Sequence, residues 1–388
     1  MKGFKEELTN NILPYWINRL PDYRNGGFYG RIDGNDILHP LANKGAILNT
    51  RILWTFSAAY RVLGSEEYLA MAERAFDYIT KHFLDPEYGG IYWELDCKGK
   101  PVNTKKQLYV QGFAIYGLSE FYRAFGDERA LAMAKDIFRL VEKCRDNEHG
   151  GYPEAFTREW KPLDDMRLSQ KDLNEAKSAN THLHLLEPYT NLMRIWNNEK
   201  LILSHRELID IFTDKIINKD SWHLGLFFDN SWNPKSDVIS YGHDIEASWL
   251  LYEAAKVNGN AGLIKKITDI SLKIADAATE GINPDGSMAY EKNGPKTDTE
   301  RHWWVQAEAV TGYMYAYENS GDIKYKLLAE KAWRYIQANL IDRENGEWYW
   351  SRRSDGTINR LDDKAGFWKC PYHNGRLCLE MIENFGLN

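Results

Sequence analysis

Three histidines, His184, His243 and His373, sit in stretches rich in polar and aromatic residues and are the side chains best suited to moving protons. Imidazole titrates near neutrality, so it can take a proton and return it at working pH. With one imidazole on each side of a planar intermediate, a proton leaves one face of a carbon and returns to the other. An arginine nearby, Arg51, stabilises the negative oxygen that develops. This combination suits inversion of a sugar carbon next to a carbonyl. The neighbouring residues support a shared site. His243, Glu246 and Trp249 are spaced i, i+3, i+6, while Asn180 with His184 and Trp304 with Glu308 are spaced i, i+4, so each set shares a helix face. His182 lies about 200° round the helix from His184, so one of the two faces a cavity and the other faces packing. His182 is expected to be the structural one. Trp303 and Trp304 diverge by about 100° and cannot both point inward.

No His-x-x-x-His pair offers adjacent metal ligands, and His39, His82, His149, His205 and His223 read as packing or surface residues. No metal is expected. No phosphate-binding loop, dinucleotide fingerprint, Schiff-base motif or Gly-x-Ser-x-Gly elbow is present, so no cofactor is expected either.

The elements that must position these residues follow from an internal repeat. Gly-centred clusters recur with first glycines at Gly26, Gly89, Gly150, Gly225, Gly286 and Gly346, spaced 63, 61, 75, 61 and 60 residues apart. Each reads as a tight turn followed by a short extended segment. Between them the periodicity predicts helices over 4–18, 46–63, 66–82, 107–124, 127–144, 178–197, 201–217, 242–257, 261–279, 303–319, 323–340 and 371–385. They alternate between amphipathic helices, such as 66–82 and 127–144, and helices apolar over more of their circumference. Twelve helices in six pairs predict an all-α fold, an (α/α)6 barrel of two concentric rings with short β-hairpins at one end. An open solenoid is the competing arrangement. No Pro/Ser-rich linker divides the chain, so residues 1–388 read as one domain. Arg51, Tyr109, Asn180, His184, His243, Glu246, Trp304, Glu308 and His373 all fall within about two turns of an inner helix start, at one mouth of the barrel.

Composition narrows the function classes. The chain has 388 residues, a net charge of −7, and 13% aromatic residues including 14 tryptophans. It has no global basic field for nucleic acid and no apolar run long enough for a membrane helix. The aromatic surplus in a hydrophilic chain fits a cleft for sugar rings, which are apolar on their faces and hydroxylated at their rims. Cys97, Cys144, Cys370 and Cys378 lack CxxC spacing and read as free thiols. The N-terminus turns acidic without a signal-peptide core. The expectation is a cytoplasmic monomer acting on a small molecule, with no nucleic-acid or membrane partner.

Five stretches carry a family resemblance. They are Asn49–Trp54, Asn180–His184, Ser240–Leu251, Trp303–Glu308 and Trp368–Arg376. In this order, and over essentially the whole chain, the sequence resembles the cellobiose 2-epimerases of the N-acylglucosamine 2-epimerase superfamily. The resemblance implies an (α/α)6 barrel and a cofactor-independent inversion of C2 in the reducing-end glucose of a β-1,4-linked disaccharide, through ring opening and a cis-enediolate. It implies that cellobiose gives glucosylmannose and lactose gives epilactose. By motif, His243 and His373 correspond to the acid/base pair, His184 to a histidine of ring opening, and Arg51 to the group that polarises the sugar oxygens. Tyr109, Asn180, Glu246 and Glu308 would position hydroxyls or histidines. Trp304 and Trp368 would stack on sugar, Trp249 would join the substrate-binding set, and Asp172 would reach the second sugar. Competing readings are an aldose–ketose isomerase or monosaccharide 2-epimerase of the same fold, a glycoside hydrolase using Glu246 and Glu308, and a non-catalytic sugar-binding barrel. His302 has no role implied by the resemblance.

Overall fold

A computed structural model describes residues 1–388. The outer helices are 4–19, Glu66–Tyr78, Glu128–Lys143, Glu199–Ile211, Ala261–Ala277 and Ile323–Asn339. The inner ones are Ala46–Leu63, Leu108–Phe125, Ala179–Met193, Tyr241–Asn258, Trp303–Ser320 and Tyr372–Glu383. Burial separates the two types as the hydrophobic patterning does. Ala46–Leu63 is buried without interruption over its first fourteen residues. Glu128–Lys143 buries only the stripe Ala130, Leu131, Ala134, Ile137, Phe138 and Val141. Each inner helix packs on the next, and Tyr372–Glu383 packs back on Ala46–Leu63. The ring is therefore closed, and the open solenoid is excluded.

The predicted boundaries hold to within a few residues. The predictions overrun at C-terminal ends: 66–82 and 201–217 pass into π turns after Tyr78 and Ile211, and the helix predicted over 178–197 stops at Met193. Asn198 then caps the following helix by accepting the Leu201 N–H. Several outer helices loosen at their ends: Ile79–Phe83 and Phe212–Ile216 are π turns and Ala278–Gly281 is a 3₁₀ turn. The first outer helix is wound as a π turn over Leu8–Ile12.

The mouth is stitched by the residues just ahead of each inner helix. Lys44–Gly45 pairs antiparallel with Glu94–Leu95, Lys106–Gln107 with Ala155–Phe156, and Lys177–Ser178 with Phe227–Phe228. Ile239–Ser240 pairs with strand Glu291–Asn293, and Arg301–His302 with Ser351–Arg352. A bridge between Ile32 and Ala365 closes the last seam. Three buried lysines lock these strands to the preceding turns: Lys44 to Asp22 at 2.9 Å, Lys106 to Asp85 at 3.0 Å and Lys177 to Asp146 at 2.7 Å.

One turn differs from its sequence assignment. In the fourth repeat the turn position is held by Trp222, whose φ is 64°, and Gly225 lies past it. The register is set by backbone contacts. The N–H groups of Ile91, Tyr152, Leu224 and Met288 bond to Gln111, His182, Asp244 and Gln306, which occupy equivalent places on their inner helices. Trp222 and His223 therefore stand where Gly150 and Gly151 stand one repeat earlier. A left-handed tryptophan carries no glycine signal, so the glycine pattern points to Gly225 instead. The same comparison settles His182. Its Nε2 accepts the Tyr152 N–H at 3.0 Å and its Nδ1 donates to Ser178 O at 2.7 Å, so both nitrogens hold the fold.

A close backbone approach places His184. Pro188 lies inside helix Ala179–Met193 and has no N–H for the His184 carbonyl. Gly112 of the neighbouring helix packs there instead, and a Cβ at that position would lie 2.1 Å from His184 O. Gly112→Ala is expected to destabilise the protein by about 1–3 kcal/mol through the forced separation of the two helices. Urea denaturation measures this, and an unchanged midpoint would contradict the packing.

Candidate active site

In the first five inner helices the sixth residue reads Arg51, Phe113, His184, Glu246 and Glu308, and in the last the fifth residue is Arg376. These six form one layer across the barrel. The Arg51 guanidinium lies 4.1 Å from the Phe113 ring centre, and the Phe113 ring 4.9 Å from that of His184. His184 Nε2 is 4.0 Å from Glu246 Oε2. Arg376 Nη2 donates to Oε1 of both Glu246, at 2.6 Å, and Glu308, at 2.7 Å.

Arg376 is the centre of the layer. Its Nη1 also donates to Glu187 Oε1, which accepts the Tyr372 hydroxyl as well. Its guanidinium is sandwiched by Trp249 at 4.7 Å and Tyr372 at 4.4 Å. One buried cation thus serves three buried carboxylates, and these reach the histidines. Burial opposes ionisation of Glu187, yet Arg376, His184 and Tyr372 outweigh it and hold its carboxyl below the usual range. Burial and the neighbouring Glu308 dominate at Glu246, whose carboxyl is raised to about 8 despite Arg376.

Each histidine has its Nδ1 engaged. A carboxylate only accepts, so His184 Nδ1 donates to Glu187 Oε2 at 3.1 Å and His373 Nδ1 donates to Glu308 Oε1 at 2.7 Å. His243 Nδ1 pairs with the Ser240 hydroxyl at 2.8 Å. These contacts fix the rings and turn Nε2 away from the scaffold. All three are held neutral. Burial lowers each, with Arg51 and Arg376 adding to it at His373 and His184 adding to it at His243, which falls to about 3. Both His243 and His373 pack against Trp304, with ring centres 5.0 and 5.7 Å from it.

The other expected residues divide. Arg51 donates to the Tyr109 hydroxyl at 2.7 Å, which brings both into the layer. Asn180 is half-buried one turn above His184, and its Oδ1 has no partner. Trp304 faces the histidines while Trp303 packs behind against Trp350, at 4.5 Å between ring centres. Trp368 is half-buried beside Trp93 and Tyr109, 6.1 and 6.3 Å away. Trp249 corrects its assignment as a sugar-binding surface. It is buried between Arg376 and Tyr315, and its indole N–H donates to Glu308 Oε2 at 3.0 Å. Helical phase puts it on the face of Glu246, but a turn deeper that face meets the neighbouring helix. Asp172 is not joined to the layer. It lies half-buried in the loop ahead of the third inner helix, where its carboxylate accepts the Ser169 N–H at 2.8 Å. His302 stacks on Tyr290 with ring centres 4.0 Å apart.

Arg376, Glu187 and Phe113 were missed. The signal that finds them is the shared place five or six residues into each inner helix, and for Glu187 its place three residues after His184. Glu246, Glu308 and His373 could together offer three ligand atoms to a metal ion. Arg376 already donates to both carboxylates and supplies the positive charge between them.

A family model described as N-acylglucosamine 2-epimerase matches residues 27–375. The chain is 56% identical over 381 residues to a cellobiose 2-epimerase of Bacteroides fragilis, covering 97% of each chain. It is 43% identical over 379 residues to one from Ruminococcus albus, again covering 97% of each. Among solved structures, the cellobiose 2-epimerase of Bacillus thermoamylovorans superposes with a TM-score of 0.95 at 44% identity, over 98% of each chain.

Arg376→Met leaves three buried carboxylates without their cation and is expected to cost about 3 kcal/mol or more. In the native protein Arg376 helps hold the Glu187 pKa down, a contribution present above the ordinary carboxylate pKa and lost as pH falls through the depressed one. The deficit of the variant should therefore be full above about pH 4.5 and shrink as pH falls below it towards about pH 2. Denaturation midpoints across that range measure it, and a deficit independent of pH would contradict the network.

Proposed function

The chain belongs to the N-acylglucosamine 2-epimerase family, and from that premise we propose that it inverts C2 of the reducing-end glucose in β-1,4-linked disaccharides. Cellobiose then gives glucosylmannose, and lactose gives epilactose. The observation that carries the reading is the pairing of His243 and His373 against one Trp304 ring, each with Nδ1 held by a partner. Two fixed imidazoles with Nε2 free, one taking a proton while the other gives one, are what a transfer between opposite faces of one carbon requires.

Once the sugar ring opens, C1 is an aldehyde and the C2 proton becomes acidic. One histidine removes that proton and the electron pair forms a cis-enediolate. Rotation about C2–C3 presents the other face, and the second histidine protonates C2. Arg51, fixed by the Tyr109 hydroxyl and the Phe113 and Tyr372 rings, opposes the negative charge on the enediolate oxygens. Trp304 and Trp368 offer apolar faces to the sugar.

The geometry speaks against glycoside hydrolysis. That reaction needs two carboxyls about 5–10 Å apart flanking a bond, whereas Glu246 and Glu308 both bond to the same nitrogen of Arg376.

Proton NMR of cellobiose and lactose incubated with the protein tests the reading. Mannose-type anomeric signals are expected, and fructose-type signals in excess would make the protein an aldose–ketose isomerase. His243→Asn and His373→Asn are each expected to lower turnover by at least about 100-fold while calorimetry still detects sugar binding. Near-native turnover in either variant would remove that residue from the acid/base pair.

A further inference from the structure

Three carboxylates meet one guanidinium around Arg376, and their hydrogen bonds are unequal. Glu187 receives donors on both oxygens, from Arg376 and Tyr372 on Oε1 and from His184 on Oε2. Glu308 likewise receives Arg376 and His373 on Oε1 and Trp249 on Oε2. Glu246 receives only Arg376, on Oε1. Its Oε2 is buried without a donor and lies 4.0 Å from His184 Nε2. A bare carboxylate oxygen, buried beside two other carboxylates, is the costliest place in the site for a negative charge.

We propose that Glu246 is the proton store of the site: it rests protonated on Oε2 and lends that proton, through His184 Nε2, to the sugar ring oxygen as the ring opens. This rests on the epimerase reading. The charged and titratable groups facing it are Glu308, Arg376, Glu187, His184, His373, Tyr109 and Tyr372. Burial and Glu308 raise its carboxyl, in agreement with the hydrogen-bond pattern.

The store answers a difficulty in the two-histidine reaction. With both members of the pair neutral, the one that must protonate C2 has no proton to spare. Ring opening supplies one. The C1–O5 bond breaks as O5 takes the proton of Glu246 by way of His184, and the O1–H proton passes to one member of the pair as C1=O forms. The other member then removes the C2 proton, and the charged member delivers its own to the opposite face. On closure O1 is reprotonated by the histidine that took the C2 proton, and the O5 proton returns through His184 to Glu246. All three histidines end neutral and no outside acid is consumed. Glu246 acts through His184, so it is a positioning and proton-holding residue rather than one that touches the reacting carbon.

Difference infrared spectra of the full-length wild type against Glu246→Gln, without sugar, read the proton directly. The carboxyls of Glu7, Glu154 and Glu380, also raised to about 7, cancel in the difference. At neutral pH the wild type should show a protonated-carboxyl C=O band, shifted in D2O and absent from the variant. The band should bleach as pH rises through about 8, with kcat/KM on cellobiose falling over the same range. If Glu246→Gln does not fold, carboxyl-13C NMR of glutamate-labelled wild type gives the same titration. No band at neutral pH, with epimerisation intact, overturns the proposal alone. So does a band that persists after kcat/KM has fallen. A band in a protein that epimerises neither cellobiose nor lactose overturns the ring-opening role together with the functional reading, and leaves only the protonated carboxyl standing.

Discussion

A single positive charge, Arg376, is shared among three buried carboxylates, and the geometry of the site depends on it. Burying a cation among three carboxyl groups is expensive unless its protons and their lone pairs are used. Arginine can meet that demand because its planar fork presents five donors in fixed directions. Glu187 lies on the third inner helix, Glu246 on the fourth, Glu308 on the fifth and Arg376 on the sixth. The charge network therefore spans half the ring and holds when the ring is closed. Two of the carboxylates in turn fix the imidazoles of His184 and His373. Helix packing, electrostatics and ring orientation are the same constraint seen at three scales.

The repeat places the chemistry at one end. Short strands and buried Lys–Asp pairs tie the inner helix starts together, so residues a turn or two into those helices meet across the mouth. Residues that tie the turns to the helices and residues that enter the site alternate along the same helix starts. The clearest case is the pair His182 and His184, two residues apart. One takes the structural position that Gln111 and Gln306 hold in other repeats, and the other enters the layer of ionisable groups.

Much of this was legible in the sequence. Hydrophobic period separated inner from outer helices, the Gly-centred turns gave six units, and helical phase assigned inward faces to His184, Glu246, Trp304 and Glu308. What phase leaves open is depth. Trp249 shares a face with Glu246 but lies under Arg376, where it packs rather than binds. Arg376 and Glu187 escaped because their partners are on other helices, and only a common register across all six repeats shows who meets whom. Trp222 hid a turn by adopting a left-handed backbone that its residue type rarely shows. Asp172 sits in a loop without periodicity, so neither its height nor its facing could be read.

In the two-histidine reaction C2 loses its proton to one histidine and gains another from a different one, both in exchange with solvent. Cellobiose turned over by the wild type in D2O tests this directly, with the glucosylmannose product examined by proton NMR at its C2 position. One deuterium at C2 in each product molecule, from the earliest turnovers, is the expected result. Epimerised product that keeps its original proton at C2 would contradict the two-histidine account.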